Sequence, residues 1–270
     1  MKKRIISASI GTLLLLLIFC LAPKWATAII VSFLSAGAAY ELYHNGGLVK
    51  NNWICAFGYI MAVAQPFIFY LNSDKWIMQL IILIYFIISF IVLMCSHGKT
   101  RLEEIGCSVF ASLIIPYTYS SAVRIITAPS GRILLLVPFL ISFVSDAGAY
   151  FVGKPLGKHH FAADVSPNKT VEGVLGGIAA TALGLTIFCF IADKLLGCQV
   201  HYILIIIYSL AGSLSATIGD LCFSAIKRQV GIKDFGNLIP GHGGILDRFD
   251  SITVVFIVCE ILFAKLPVIC

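Results

Sequence analysis

Two aspartates close a glycine-rich stretch near the end of this 270-residue chain. In NLIPGHGGILDRFDS, residues 237–251, Asp247 and Asp250 stand three positions apart, so that on a helix they share one face. Gly243 and Gly244 let the backbone approach a ligand closely and point several N–H groups at it. Because magnesium prefers carboxylate and phosphate oxygens, the stretch is typical of a site for a metal ion and a polyphosphate.

A second set of polar residues precedes this stretch. Asp220, Ser224 and Lys227 follow the spacing i, i+4 and i+7, so that a continuous helix would project all three from one face. A carboxylate, a hydroxyl and an ammonium group together suit a metal ion and its phosphate. With Asp247 from the next segment, Asp220 would clamp one ion or two. The alternative is a polar stripe packed between helices.

The elements that must position these residues are membrane helices. Only 12% of the residues are charged, about half of the roughly 25% usual in soluble domains, and the mean hydropathy is +0.98. A bilayer core takes about 20 apolar helical residues to cross, and continuous rather than alternating runs predict helices instead of strands. We therefore expect an all-α, polytopic membrane bundle of about nine transmembrane helices. The runs are Ile5–Ala22, Trp25–Tyr43, Trp53–Leu71, Trp76–Cys95, Ile105–Val123, Ile133–Val152, Gly173–Ala192, Tyr202–Ala225 and Ile252–Val268.

The distribution of lysine and arginine predicts a cytoplasmic N-terminus and an outside C-terminus. Cytoplasmic loops are enriched in these residues, and this orientation places 13 of the 19 on the cytoplasmic side. The other six are Lys24, Lys75, Arg124, Arg132, Lys194 and Lys265. Anionic lipid and phosphates on that side would attract the net charge of +6. The basic, apolar N-terminus also fits a cleaved secretory signal, although its run is long enough to span.

We divide the chain into a scaffold of transmembrane helices, residues 1–130, and a catalytic region, residues 131–270, with cytoplasmic polar blocks at 145–177 and 220–251. An internal repeat is not found, which argues against transporters built from inverted repeats. Basic stretches interleaved with aromatic residues are absent from the sequence, so nucleic acid is not an expected partner. The nine cysteines form no C-x-x-C pair, which argues against a zinc site.

Asp146 interrupts an otherwise apolar run in the first polar block. A centrally placed Asp costs about 2.5 to 3.5 kcal/mol on insertion scales, so an intramembrane carboxylate is a functional candidate. The alternative is that Asp146 lies near the cytoplasmic end of its helix and pairs with Lys154 or Lys158.

The segment SPNKTVEG, residues 166–173, has the pattern of a loop that leads into a helix. A helix N-terminus with Ser166, Lys169 and Thr170 nearby predicts an anion site. Glu172 is explained as well by helix capping as by ligand binding.

Small residues predict close helix contacts in the second half of the chain. Gly173 and Gly177 have the G-x-x-x-G spacing, which we interpret as helix packing rather than phosphate binding. The faces around Gly173 and Gly212 would also permit a homodimer.

The stretch SAIKRQVGIKDFGNLIPGHGGILDRFD, residues 224–250, resembles the signature of the phosphatidate cytidylyltransferase family, also called CDP-diacylglycerol synthases. That signature reads S-x-apolar-K-R, four residues, K-D, then a small residue, P-x-H-G-G and D-R-x-D. Residues 145–173 resemble the second polar block of the family, with S-D-x-G-A-Y, paired G-K motifs and S-P-x-K-T-x-E-G. Lys154 stands where arginine is as common. Together the two blocks cover about a fifth of the chain.

The resemblance implies an enzyme of phospholipid biosynthesis that condenses CTP with phosphatidic acid to give CDP-diacylglycerol and pyrophosphate. It implies one or two Mg²⁺ ions held by Asp220 and Asp247, with Asp250 as a third ligand or as a residue that orients the other two, and leaves a monovalent cation open. Phosphatidate is already ionised near neutral pH, so positioning and charge would replace a general base. The implied catalytic residues are Asp220, Asp247, Lys227 and Asp250. The implied substrate-binding residues are Ser224, Arg228, Lys233, Asp234, His242, Gly243, Gly244, Arg248, Asp146, Ser166, Lys169 and Glu172.

We expect a multi-pass protein of the bacterial inner membrane, with its active site facing the cytoplasm. Two alternatives stay open. A related CTP transferase with another lipid acceptor would show the same spacing, because apolar tails meet only apolar helices. A transporter with midplane carboxylates is disfavoured by the cytoplasmic clustering of the polar residues.

Overall fold

The computed structural model describes residues 18–19, 21–71, 75–236 and 243–269. Within these ranges the protein is helical. The described residues form no strand, and extended pairing is limited to two isolated β-bridges, His160 with Thr170 and Val200 with Ile269. The prediction of an all-α architecture is confirmed.

The described residues form eleven α-helices in chain order. They are α1 (Lys24–Tyr40), α2 (Asn52–Tyr70), α3 (Lys75–Cys95), α4 (Leu102–Val109), α5 (Ile115–Tyr119), α6 (Ser121–Thr127), α7 (Gly131–Leu134), α8 (Leu136–Leu156), α9 (Val171–Leu196), α10 (Leu204–Val230) and α11 (Leu246–Lys265). A π-helical turn, Glu41–Asn45, extends α1, and a second, Phe110–Ile114, joins α4 to α5.

Seven helical stretches are long and apolar enough to cross a bilayer. They are Lys24–Asn45, Asn52–Tyr70, Trp76–Cys95, Leu102–Thr127, Gly131–Leu156, Val171–Leu196 and Leu204–Val230. All seven coincide with predicted runs, which supports a multi-pass membrane protein. Of the other two runs, Ile5–Ala22 lies almost wholly outside the described residues. Ile252–Val268 lies mostly in α11, which is not among the seven, and the count of nine stays a prediction.

The predicted run Ile105–Val123 is not one regular helix. It comprises parts of α4 and α6, with the π-helical turn and α5 between them. Pro116 lies at the start of α5, where it lacks an N–H donor and its ring would clash with the carbonyl of Ser112 in a regular helix. Ser112 lies in the π-helical turn, whose wider geometry accommodates the proline.

The chain divides into two compact units. The first comprises Met1–Thr127 and Val230–Arg248, and the second comprises Ala128–Gln229 and Phe249–Cys270. The polar block 220–251 therefore contributes residues to both units.

Glycines bring α8 and α9 together in the second unit. A methyl group on Gly148 would lie 2.5 Å from the Cβ of Ala180, and one on Gly177 would lie 2.9 Å from the carbonyl oxygen of Ser145. Backbones approach this closely only where side chains are small. The packing role predicted from the spacing of Gly173 and Gly177 is confirmed.

The glycine faces that suggest a homodimer pack against other helices of the second unit. A methyl group on Gly173 would lie 3.0 Å from the carbonyl oxygen of Ala149, and one on Gly212 would lie 2.7 Å from Cγ2 of Ile141. Dimerisation therefore gains no support from these two faces.

Candidate active site

A cavity of about 310 Å³ lies in the second unit. Residues of α8, α9, α10 and α11 line it, together with the loop that precedes α9. Among them are three predicted carboxylates, Asp146, Asp220 and Asp250, and two predicted anion contacts, Ser166 and Lys169. The fold therefore brings together residues that lie more than 100 positions apart in the sequence.

Asp220 and Lys169 form an ion pair in this cavity. Lys169 Nζ lies 2.6 Å from Asp220 Oδ2, and only 19% and 24% of the two side chains are exposed. Ser224 Oγ donates a hydrogen bond to Asp220 Oδ1 at 3.3 Å, which confirms that these residues share one face of α10. Because the pair is partly shielded from water, salt screens it less than a surface ion pair.

Ser251 links the other two carboxylates. Its Oγ donates to Asp146 Oδ2 at 3.1 Å, and its backbone N–H donates to Asp250 Oδ1 at 2.7 Å. Sequence reasoning missed Ser251, although its position directly after Asp250 was a signal. Lys154, offered as a partner of Asp146, instead donates to the Tyr150 hydroxyl at 3.1 Å.

A glycine lets α10 approach α11 closely beside the cavity. A methyl group on Gly219 would lie 2.6 Å from the carbonyl oxygen of Asp250 and 3.0 Å from that of Ser251. The residue at position 219 must therefore be small for Asp220 and Asp250 to line the same cavity.

The pKa of the Asp250 carboxyl is raised to about 7. Burial is the main cause and the negative charge of Asp220 the second, whereas the Ser251 N–H and the charge of Lys227 lower the pKa. Near neutral pH the protonated and the ionised forms of this carboxyl are therefore both populated, and a cation in the cavity would favour the ionised form.

The carboxylates of the cavity suit a hard divalent ion. Magnesium takes oxygen ligands and often needs only one or two carboxylates, with water or phosphate in the remaining positions. Asp220 and Asp250 supply such oxygens, and a cation would relieve their mutual repulsion. Within the described ranges no three His, Cys, Asp or Glu side chains form a metal-binding group as they stand. Water or phosphate oxygens would therefore have to complete the coordination.

Glu172 lies at the start of α9 and binds the loop before it. Its Oε2 accepts hydrogen bonds from the N–H groups of Lys158 at 3.1 Å and His159 at 3.2 Å, and its Oε1 lies 2.5 Å from His159 Nδ1. Thr170 accepts the Gly173 N–H at 3.1 Å and caps this helix. Glu172 thus has a structural role here, and its predicted contact with substrate stays a prediction.

In the first unit, Asp247 binds the backbone of the glycine-rich loop. Its Oδ2 accepts hydrogen bonds from the N–H groups of Phe235 at 2.7 Å and Gly244 at 3.0 Å. Gly243 adopts a φ of +87°, a left-handed conformation that favours glycine, next to the same carboxylate. The carboxylate therefore links Phe235 to Gly244, which lie on either side of residues 237–242.

A second carboxylate binds this loop, and sequence reasoning missed it. Glu41 is fully buried, and its oxygens accept hydrogen bonds from Ile245 N–H at 2.7 Å and Leu246 N–H at 2.8 Å. An acid at the end of the apolar run AIIVSFLSAGAAY was the available signal.

The remaining candidates differ in exposure. Lys227 is half-buried and acts electrostatically on Asp250 in the second unit. Arg228 is exposed, and its Nε donates to the Val165 carbonyl oxygen at 3.4 Å. His242 lies outside the described residues. The exposed candidates of the first unit are Lys233, Asp234 and Arg248.

Seven apolar helices long enough to cross a bilayer, and a cavity lined by three carboxylates and a lysine, define a multi-pass membrane protein with a charged cavity. The family model of the cytidylyltransferase family matches residues 2–266. The chain therefore belongs to the cytidylyltransferase family, and the resemblance seen in the sequence is confirmed.

Curated relatives carry a more specific name, phosphatidate cytidylyltransferase. The protein of that name from Staphylococcus haemolyticus is 31% identical over 272 residues, 98% of this chain and 100% of the relative. That from Staphylococcus epidermidis is 31% identical over 267 residues, with the same coverage. The Bacillus subtilis protein is 39% identical over 150 residues, 55% of this chain and 54% of the relative.

Proposed function

We propose that this chain is a phosphatidate cytidylyltransferase. A phosphate oxygen of phosphatidate attacks the α-phosphorus of CTP, and the bond to the bridging oxygen of the β-phosphate breaks. The products are CDP-diacylglycerol and pyrophosphate. The observation that carries this proposal is the cavity in which Asp146, Asp220, Asp250 and Lys169 meet, within a chain related to proteins of that name over its full length.

Asp220 and Asp250 would hold magnesium in this cavity. When bound, the ion supplies charge neutralisation at the phosphate oxygens, which lowers the repulsion between the lipid phosphate and the triphosphate. Asp146 adds a third carboxylate at the same cavity. Asp247 is proposed as a metal ligand on the basis of the signature alone. Its geometry adds no support, because its Oδ2 already accepts two backbone hydrogen bonds.

The phosphates of the two substrates would be held by the basic and hydroxyl groups of the two polar blocks. Lys169 and Ser166 lie at the cavity before the N-terminus of α9, where backbone N–H groups favour an anion. Lys227 and Arg228 lie near the end of α10. Lys233 and Arg248 are the further candidates, and both are exposed.

The enzyme lies in a bacterial membrane with its site on the cytoplasmic side, where CTP is present. The apolar runs predict nine spans, and the distribution of basic residues predicts a cytoplasmic N-terminus and an outside C-terminus. A reporter enzyme that is active only outside the cytoplasm, fused after residue 270, would test this orientation. An inactive reporter on a stable, membrane-inserted fusion would contradict it.

The reaction is tested by transfer of label from cytidine-labelled CTP to chloroform-extractable lipid. Purified protein is given phosphatidic acid and magnesium, with omission of lipid and omission of metal as controls. Label that requires both additions supports the proposal. A panel with an isoprenoid ether phosphate and a polyprenol phosphate tests the acceptor, and faster labelling of either would replace phosphatidate as the substrate.

A further inference from the structure

The carboxylate of Glu41 binds the backbone at the start of α11. Its two oxygens each accept one backbone hydrogen bond, from Ile245 at 2.7 Å and from Leu246 at 2.8 Å, and the side chain is 0% exposed. The first N–H groups of a helix have no partner within the helix. Glu41 supplies that partner from 204 positions earlier in the chain.

The loop before α11 is shaped around this carboxylate. A methyl group on Gly244 would lie 2.5 Å from Glu41 Oε2, and one on Gly236 would lie 3.1 Å from Glu41 Oε1 and 2.7 Å from Asn45 Nδ2. Glycine at both positions leaves room for the acid. The Glu41 side chain therefore contacts the described residues on both sides of 237–242 and fixes the positions of their backbones.

The same loop is tied to Asp247. Asp247 Oδ2 accepts the N–H groups of Phe235 and Gly244, so the residues that contact Glu41 are interleaved with those that contact Asp247. A shift of the loop away from Glu41 would move Asp247 and the neighbouring glycines.

We propose that Glu41 is a positioning residue for CTP binding. It fixes the start of α11 and the described residues 235–236 and 243–246, so that Asp247 and the backbone of Gly243 and Gly244 face the nucleotide phosphates in one fixed arrangement. This inference rests on the proposed function, because it assigns the loop to CTP. Glu41 itself does not touch the substrate, since both of its oxygens are engaged by the backbone and the side chain is buried.

The test is the substitution Glu41→Gln, read by direct binding of labelled CTP as well as by turnover. The amide keeps the size of the side chain but turns an NH₂ group toward one of the two backbone donors. Hydrogen bonds between charged groups and backbone are among the stronger ones, so we expect CTP affinity to fall about 10-fold or more. The KM for phosphatidate should change less than the affinity for CTP.

Glu104→Gln is the matched control in the same unit. Glu104 Oε2 also accepts two backbone N–H groups, from Lys50 at 2.8 Å and Asn51 at 3.2 Å, but among the described residues its hydrogen bonds reach neither residues 235–236 and 243–246 nor α11. This variant should bind CTP within about twofold of the unchanged protein, as expected for a purely structural hydrogen bond. An equal loss of CTP affinity in both variants would show a general structural effect and overturn the inference.

Gly236→Ala decides the question if Glu41→Gln does not fold. It leaves Glu41 in place and crowds the same contact from the loop side. Weaker CTP binding by this folded variant supports the inference, and unchanged CTP binding overturns it. Absence of cytidylyl transfer by the unchanged protein would instead refute the proposed function, so that the two failures are distinguishable.

Discussion

The three carboxylates of the cavity have different partners. Asp220 is paired with Lys169, Asp146 accepts the Ser251 hydroxyl, and Asp250 has a raised pKa because it is buried beside Asp220. A cavity with more acids than bases attracts a cation, while the lysine at its edge favours an anion. This combination suits a metal ion that carries a phosphate group.

Asp220→Asn should lower turnover about 100-fold or more, because it removes a charge that would stabilise the metal and the transition state. The amide keeps the shape of the side chain, so the protein should stay monodisperse after purification. Asp193→Asn is the matched control. Asp193 Oδ2 accepts the Tyr202 hydroxyl at 3.1 Å, and the residue does not line the cavity. Retained turnover in folded Asp220→Asn would contradict the role of Asp220.

The raised pKa of Asp250 predicts pH-dependent metal binding. The carboxyl is mainly protonated below a pH of about 7 and mainly ionised above it, and only the ionised form binds a cation. Binding of Mn²⁺ to the purified protein without nucleotide, followed by electron paramagnetic resonance, should therefore tighten as the pH rises. Below pH 7 the change should approach about tenfold per pH unit, as for the release of one proton per ion. The same slope in Asp250→Asn would show that another group is responsible.

At the scale of helices, the sequence predicts the positions and lengths of the spanning helices, because hydrophobic burial and bilayer thickness control both. The run Trp53–Leu71 becomes helix Asn52–Tyr70, since apolar length and the capping side chain of Asn51 fix its ends. Pro116 signals an irregularity, yet the π-helical turn before it depends on how the neighbouring helices accept the bend. That information is spread over several segments and is not visible in a single run.

Close packing of α8 and α9 predicts that Gly148→Ala is destabilising. Its methyl group would lie 2.5 Å from Ala180 Cβ and 2.9 Å from the Gly176 carbonyl oxygen, so we expect a loss of about 1 to 3 kcal/mol, typical of overpacking. A lower midpoint of thermal unfolding in detergent would show this loss. Gly106→Ala is the control, because nothing lies within 4 Å of the added methyl group. If both variants unfold at the same temperature, the claim that α8 and α9 leave no room for a methyl group at position 148 is wrong.

At the scale of the whole molecule, the sequence locates most of the site but not its assembly. Asp146, Asp220 and Asp250 are recognisable as acids in or beside apolar helices, because such residues are costly without a function. The contact between Glu41 and Ile245 is not recognisable, since 204 positions separate the two residues, Glu41 lies outside the signature, and the signature leaves position 245 unspecified. Likewise, chain order gives no sign that Val230–Arg248 forms one unit with Met1–Thr127.

The central claim is transfer of a cytidylyl group, and the fate of each phosphate of CTP tests it most directly. Purified protein with phosphatidic acid and magnesium is supplied with CTP labelled either at the α-phosphate or at the γ-phosphate. The account predicts that α-label enters the lipid phase while γ-label stays in water as pyrophosphate, in equal amounts. Entry of γ-label into lipid would reveal phosphorylation of the acceptor instead, and retention of both labels in water would contradict nucleotidyl transfer.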